Sequence, residues 1–150
     1  AALVGKTLQG MWTDDAIRAV DWLASRPEVD RSAISVYGVG AMGPVALQAA
    51  ALDPRLGTVY VERSLASYRM AVDHPTTQDL PDVALPGVLR RYDIGDLLLA
   101  AGPKGIVVID PVDESLKPVD PAAYRKMMDY VFESDRALGR AGRVEVRSEK

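Results

Sequence analysis

The sequence lacks cysteine altogether and contains a single histidine, His74, and these two features exclude much catalytic chemistry. Without cysteine there are no disulfides, no thiolate nucleophile and no cysteine-based zinc site. Any site that needs two imidazoles is excluded, and a Ser-His-Asp triad formed within this chain would have to use His74.

Excess positive charge and long apolar runs are also missing. The chain has 18 Lys and Arg against 21 Asp and Glu, a formal net charge of −3, and a pI of about 5.1. We therefore expect no basic surface for nucleic acid or anionic lipid. No apolar run approaches the roughly 18 residues that span a bilayer. The first residues, 1–6, do not form a secretory signal, so the sequence leaves the localisation unknown.

The composition is that of a globular domain, with 48% hydrophobic and 26% charged residues in 150. This length suits one domain with one core, over residues 1–150. Because the start has no recognisable signal and the end follows an apparent strand, we expect a fragment of a longer chain.

Predicted helices and strands alternate along the chain, which is typical of a parallel sheet in a three-layer αβα sandwich. Apolar residues at three- and four-residue spacing predict a first helix, capped by Thr13 or Asp14 and ended by Pro27. The third strand is apolar on both faces and so central, whereas the fourth alternates like an edge strand. The predicted helices are 13–26, 44–52, 93–101 and 120–138, and the predicted strands are 33–37, 58–61, 105–109 and 143–147.

In such sheets the ligand site lies beyond the carboxyl ends of the strands. Here those ends are predicted at 38–43, 62–68 and 110–117. The long stretch between Glu62 and Arg91 has weak periodicity, and a connection of that length usually carries function or is disordered.

The turn at 38–43 reads GVGAMG and matches the pattern G-x-G-x-x-G between a strand and a helix. In dinucleotide-binding folds such glycines let the backbone approach the pyrophosphate, and an acid about 20 residues on binds the ribose. Glu62 stands where that acid belongs. A helix and an acidic connector precede this strand, however, whereas the fingerprint normally follows the first strand of its domain. An NAD(P)-binding domain using Gly38, Gly40, Gly43 and Glu62 is therefore an alternative, as is simple close packing.

The residues around this turn resemble a different fold family. The segment DDAIRAVDWLASRPEVDRSAISVYGVGAMG, residues 14–43, resembles the approach to the nucleophile elbow of α/β-hydrolases, most closely that of bacterial acetyl xylan esterase-like carbohydrate esterases. ALQAAALDPRLGTVYVE resembles the helix and strand after the elbow, and LPGVLRRYDIGDLLLAAGPKGIVVIDPVDESLKPVD resembles the segment with the catalytic acid. The resemblance implies the second half of a hydrolase sheet, without its earlier strands.

The resemblance also indicates which residues of this chain correspond to the family's catalytic positions. In that family the elbow reads G-x-S-x-G-G, and the nucleophile position falls on Gly40, which has no nucleophilic atom. Ala41 follows it, and its amide N–H corresponds to an oxyanion donor. Ser64 and Ser67, past the next strand, do not replace the missing serine.

The acid position maps to Asp113, with Asp110 as the second candidate. Asp113 and Asp120 can instead be turn and helix-capping residues, and for Asp120 the cap is the favoured interpretation. The family's histidine follows the last strand, which places it beyond Lys150 or makes it absent. His74 lies outside the position that the resemblance assigns, and solvation or a local hydrogen bond is the simpler interpretation.

The sequence therefore predicts a degenerate esterase-like domain without its own hydrolytic activity. It would need no cofactor or metal, and it would support other domains of a larger protein, bind a carbohydrate or ester, or self-associate at an exposed sheet edge. The alternatives are an active ester hydrolase completed by other segments and the NAD(P)-binding domain described above.

Overall fold

The structure is a computed structural model that describes residues 5–73 and 85–149. His74 and the prediction made for it lie outside the described residues. The helices are α1 (Leu8–Ala24), α2 (Met42–Leu52), α3 (Tyr68–Asp73), a 3₁₀ helix (Val88–Arg90), α4 (Ile94–Ala100), α5 (Pro121–Met127) and α6 (Asp129–Ala137). The strands are β1 (Val36–Val39), β2 (Val59–Glu62), β3 (Ile106–Ile109) and β4 (Val144–Arg147).

The four strands form one sheet in the order β1-β2-β3-β4, and every neighbouring pair is parallel. This confirms the α/β fold class. All four residues of β3 are buried, and β4 is an edge strand with alternating buried and exposed residues, both as predicted. A central strand with partners on both sides needs apolar residues on both faces, which explains the unbroken Ile-Val-Val-Ile run.

One face of the sheet forms the core with the helices. At one register level, Gly38, Val61, Val108 and Val146 lie side by side and are all buried. Helix α2 packs against β1 and β2, and its alanines allow it to come close to the sheet. On the other face Tyr37 stacks on Tyr60 at the β1 edge, with ring centroids 5.5 Å apart.

The first helix begins earlier than predicted. Thr7, and not Thr13 or Asp14, is its N-cap, and its side chain accepts a hydrogen bond from the Gly10 N–H at 3.0 Å. Thr13 is instead 4% exposed within the helix, and its hydroxyl donates to the side chain of Gln48 at 2.7 Å. The predicted cap was wrong because a threonine inside a helix can bond to a neighbouring helix as readily as to its own backbone.

The predicted last helix is two helices, broken at Met128. Asp120 caps α5 as expected, accepting hydrogen bonds from the amides of Ala122 and Ala123. Met128 leaves the helical conformation, with φ −97° and ψ 19°, while its side chain is 2% exposed. The apolar periodicity continues through this residue, so the sequence pattern does not reveal the break.

Candidate functional site

Strand β1 and helix α2 are joined by a very short turn at Gly40. Gly40 has φ +57°, the left-handed conformation that favours glycine, and α2 begins two residues later at Met42. The Gly40 N–H donates to the Glu62 carbonyl at 2.9 Å, and the Gly43 N–H donates to the Gly40 carbonyl at 3.2 Å. Strand β1 thus includes Gly38, and the turn is shorter than the predicted 38–43.

The three glycines of the turn have different surroundings. A Cβ on Gly38 would lie 2.4 Å from the carbonyl oxygen of Met42, and a Cβ on Gly43 would lie 1.9 Å from the Ser64 hydroxyl. At Gly40 a Cβ would meet nothing within 4 Å. Gly38 and Gly43 therefore permit close internal packing of strand, helix and loop, whereas Gly40 faces open space at the carboxyl end of the sheet.

The hydroxyl of Ser64 fixes the peptide between Gly40 and Ala41. It is buried, and it donates to the Gly40 carbonyl at 2.5 Å. Because the peptide unit is planar and trans, holding this carbonyl directs the Ala41 N–H to the opposite side. The first amides of a helix have no intrahelical acceptor, so the Ala41 N–H is available as a donor at this edge of the sheet.

Three neighbouring strands end in left-handed residues at one level, which we call the left-handed row: Gly40, Arg63 and Asp110. Their φ angles are +57°, +47° and +44°. The sheet ladder continues to this level, since Arg63 N donates to Ile109 O at 2.9 Å. This conformation costs a non-glycine residue about 1–2 kcal/mol. No sequence signal predicts such a conformation for Arg63.

The two candidates for the acid position have different contacts. One Asp113 carboxylate oxygen accepts hydrogen bonds from the backbone amides of Ser115 and Lys117, at 2.8 and 2.9 Å. Those bonds are the ones expected of a turn residue. The Asp110 carboxylate instead accepts from the Ser148 hydroxyl at 2.9 Å and from the Glu149 amide at 3.1 Å, just after β4. Both residues remain predictions for the acid position.

Glu62 is engaged by its neighbour on β1. The Tyr37 hydroxyl donates a hydrogen bond to the Glu62 carboxylate, and this bond raises the pKa of the tyrosine above its usual value. In the dinucleotide interpretation Glu62 would bind a ribose, and Gly38 and Gly43 would leave room for a phosphate. The structure gives all three of these residues contacts within the protein.

A second buried serine ties the loop after β2 to α4. The Ser67 hydroxyl donates to the Asp93 carboxylate at 2.5 Å, and the amides of Tyr68 and Ile94 donate to the same carboxylate. Asp93 is also the N-cap of α4, at the start of the helix predicted over 93–101, and no sequence pattern predicts its bond to Ser67. In the loop after β3, Glu114 is also buried, and no sequence pattern marks it.

Among residues 5–73 and 85–149, no three His, Cys, Asp or Glu side chains come together as a metal ion would require. In the same part of the chain, no helix is both long and apolar enough to cross a membrane.

The four-stranded parallel sheet, with the turn at Gly40 leading from β1 directly into α2, is arranged as in the α/β-hydrolase fold. The family model of acetyl xylan esterase (AXE1) matches residues 8–83, just over half of the chain. The chain therefore belongs to the acetyl xylan esterase (AXE1) family. A comparison with curated proteins found no match.

Solved structures of esterases share the fold. A glucuronoyl esterase from Teredinibacter turnerae is 18% identical with a TM-score of 0.68, covering 95% of this chain and 42% of its own. An acetyl xylan esterase from a Paenibacillus species is 24% identical with a TM-score of 0.53, covering 91% of this chain and 44% of its own. A glucuronoyl esterase from Solibacter usitatus is 17% identical with a TM-score of 0.61, and the match covers 93% of this chain and 43% of the esterase. The chain thus spans less than half the length of these structures.

Proposed function

We propose that this chain is a degenerate acetyl xylan esterase-like domain that does not hydrolyse esters itself and serves a binding or supporting role in a carbohydrate-esterase-like protein. The observation that supports the proposal is the glycine at residue 40, in the turn where the family resemblance puts the nucleophile. Without a side-chain nucleophile at residue 40, no acyl-enzyme forms there.

The nearby serines do not supply a substitute nucleophile. Ser64 and Ser67 are 4% and 5% exposed, and both hydroxyl protons are donated to acceptors within the protein. A hydroxyl that attacks an ester must reach the substrate and pass its proton to a base. Ser64 donates to a backbone carbonyl, which is not a base.

The parts of the site that remain suit binding of a ligand. The space above Gly40 is open, and the Ala41 amide is held in place beside it. The contacts of Asp110 with the segment after β4 favour it over Asp113 as the acid position, because the family's histidine follows that strand. A carbohydrate or ester is the ligand that we propose, and other domains of a larger chain or a second copy are the proposed protein partners.

The test is an ester hydrolysis assay with 4-nitrophenyl acetate and with acetylated xylan. We expect both esters to be hydrolysed no faster with the purified chain than in buffer alone. In affinity electrophoresis, we expect acetylated xylan in the gel to slow the migration of the chain. A hydrolysis rate that survives purification and disappears in Asp113→Asn or Asp110→Asn would overturn the proposal. Asp129→Asn, a change on the exposed start of α6, is the matched control.

A further inference from the structure

The left-handed row contains one residue whose presence its contacts do not explain. Glycine at position 40 adopts a positive φ without strain, and Asp110 is held by Ser148 and Glu149. Arg63 has φ +47°, a conformation that glycine or asparagine adopts more easily. Its backbone amide is bonded to Ile109 O, but a residue of any type could form that bond.

The row places Arg63 next to the open space above Gly40. The two residues follow paired positions of neighbouring strands, Val39 and Glu62, and neighbouring strands lie about 4.8 Å apart. Because both residues have a left-handed φ, the Cα–Cβ bond of Arg63 has a direction similar to that of a Cβ added at Gly40. An arginine side chain is long enough to reach over the neighbouring strand end, where no side chain stands at residue 40.

The acidic side chains around this edge already have other partners. Glu62 accepts from Tyr37, Asp110 from Ser148 and Glu149, and Asp113 from two backbone amides. Within the described residues, Arg63 is exposed and forms no ion pair. Within residues 5–73 and 85–149, a positively charged group thus stands beside an open space without an acidic partner.

Resting on the proposed function, we propose that Arg63 binds a carboxylate group in the space above Gly40, with the Ala41 amide as a second donor. A guanidinium matches a carboxylate because two parallel N–H groups meet its two oxygens. In an esterase the free acid is a product, and a site that has lost its nucleophile retains donors that suit that acid. The carboxylate can come from free acetate or from a uronic acid of a polysaccharide.

The experiment is an NMR titration of the full chain, following the backbone amides of Gly40 and Ala41 and the Nε–H of Arg63. Sodium acetate, sodium glucuronate and glucose are added separately at constant ionic strength. We expect saturable shifts with one or both acids and none with glucose. Tighter binding of glucuronate would indicate a polysaccharide source, whereas equal binding would indicate free acetate.

Arg63→Asn is the decisive variant. It removes the charge and keeps a residue that tolerates a positive φ, so the protein should fold and its melting temperature should stay equal or rise. Carboxylate binding should weaken by up to about fivefold, the upper end for one exposed charge pair. Arg31→Asn, at an exposed arginine of the connector before β1, should leave binding unchanged.

Three results would overturn the inference: no saturable shift with either acid, the same shifts with glucose, or equal weakening in the Arg31 and Arg63 variants. If Arg63→Asn were to unfold, Arg63→Lys keeps the charge without the two parallel donors and should show an intermediate affinity. The outcome is separate from that of the proposed function, because a chain that hydrolysed esters could still bind carboxylates through Arg63.

Discussion

Alanine substitutions at Gly38, Gly40 and Gly43 distinguish a hydrolase elbow from a phosphate-binding turn. In a phosphate-binding turn the glycines serve the ligand, so their substitution weakens dinucleotide binding first. In this structure Gly38 and Gly43 serve internal packing, so their substitution should destabilise the free protein. We expect the loss of stability to be larger for Gly38→Ala and Gly43→Ala than for Gly40→Ala.

The expected magnitudes follow from the contacts. The added Cβ at Gly38 would lie 2.4 Å from a backbone oxygen of α2 and 2.9 Å from the Cβ of Ala46, so the helix must move. Overpacking of this kind costs about 1–3 kcal/mol. At Gly43 the hydroxyl of Ser64 must turn away and lose its bond to Gly40, which adds about 1 kcal/mol. At Gly40 there is no clash, and the positive φ alone costs about 1–2 kcal/mol.

Urea unfolding followed by circular dichroism measures the three free energies of unfolding. The double variant Gly43→Ala/Ser64→Gly tests the mechanism, because removing the Ser64 side chain should recover part of the loss at Gly43. Val61 Cγ1, at 2.8 Å from the added Cβ, keeps the recovery incomplete. Equal stability of Gly38→Ala and the unchanged protein, or simple additivity of the two changes at Gly43 and Ser64, would refute the packing interpretation.

Three other measurements test separate features. Asp135→Asn should lower the free energy of unfolding, measured in urea, by about 3–5 kcal/mol, because the equally buried Arg143, 2.7 Å away, loses its counter-ion. The control Asp129→Asn should lower it by less than about 1 kcal/mol. Burial, together with the nearby aspartates, raises the pKa of the Tyr130 hydroxyl to about 12. The stability that the protonated hydroxyl contributes is therefore present below about pH 10 and is lost as the pH rises through about 12. Tyr130→Phe should therefore lose less stability over that range, and an equal loss would contradict this. Titration with NADH should show no saturable energy transfer from the two tryptophans, and binding that Gly43→Val weakens would restore the dinucleotide interpretation.

The parallel sheet, the central position of β3 and the edge position of β4 could be predicted, because the composition of β3 and β4 indicates which of their faces are buried. The Ile-Val-Val-Ile run of β3 indicates a strand covered on both faces, and the alternation in β4 indicates an edge. Element ends were less predictable. The start of α1 depends on Thr7, and the break at Met128 depends on packing around its buried side chain, and neither interrupts the apolar periodicity.

The strand, turn and helix around Gly40 could be predicted from the sequence, but the contacts that support the turn could not. The assignment of the nucleophile and oxyanion positions to Gly40 and Ala41 follows from the resemblance and stays a prediction. The Ser64 hydroxyl bond to Gly40 joins residues from two different strand ends, so no local pattern predicts it. The contact between Gly43 and Ser64 could not be predicted either, because a glycine in a motif does not indicate which residue packs against it.

The left-handed row shows where stability and function favour different residues. Stability alone favours glycine at all three positions, because each has a positive φ that costs other residues free energy. At residue 40 the chain has glycine, which adopts the positive φ without strain but has no side chain that could act as a nucleophile. Asp110 offsets its strain with two hydrogen bonds. Arg63 retains the strain without an ion pair in the described structure, so a gain in stability on Arg63→Asn with a loss of carboxylate binding would show that the arginine is kept for a ligand.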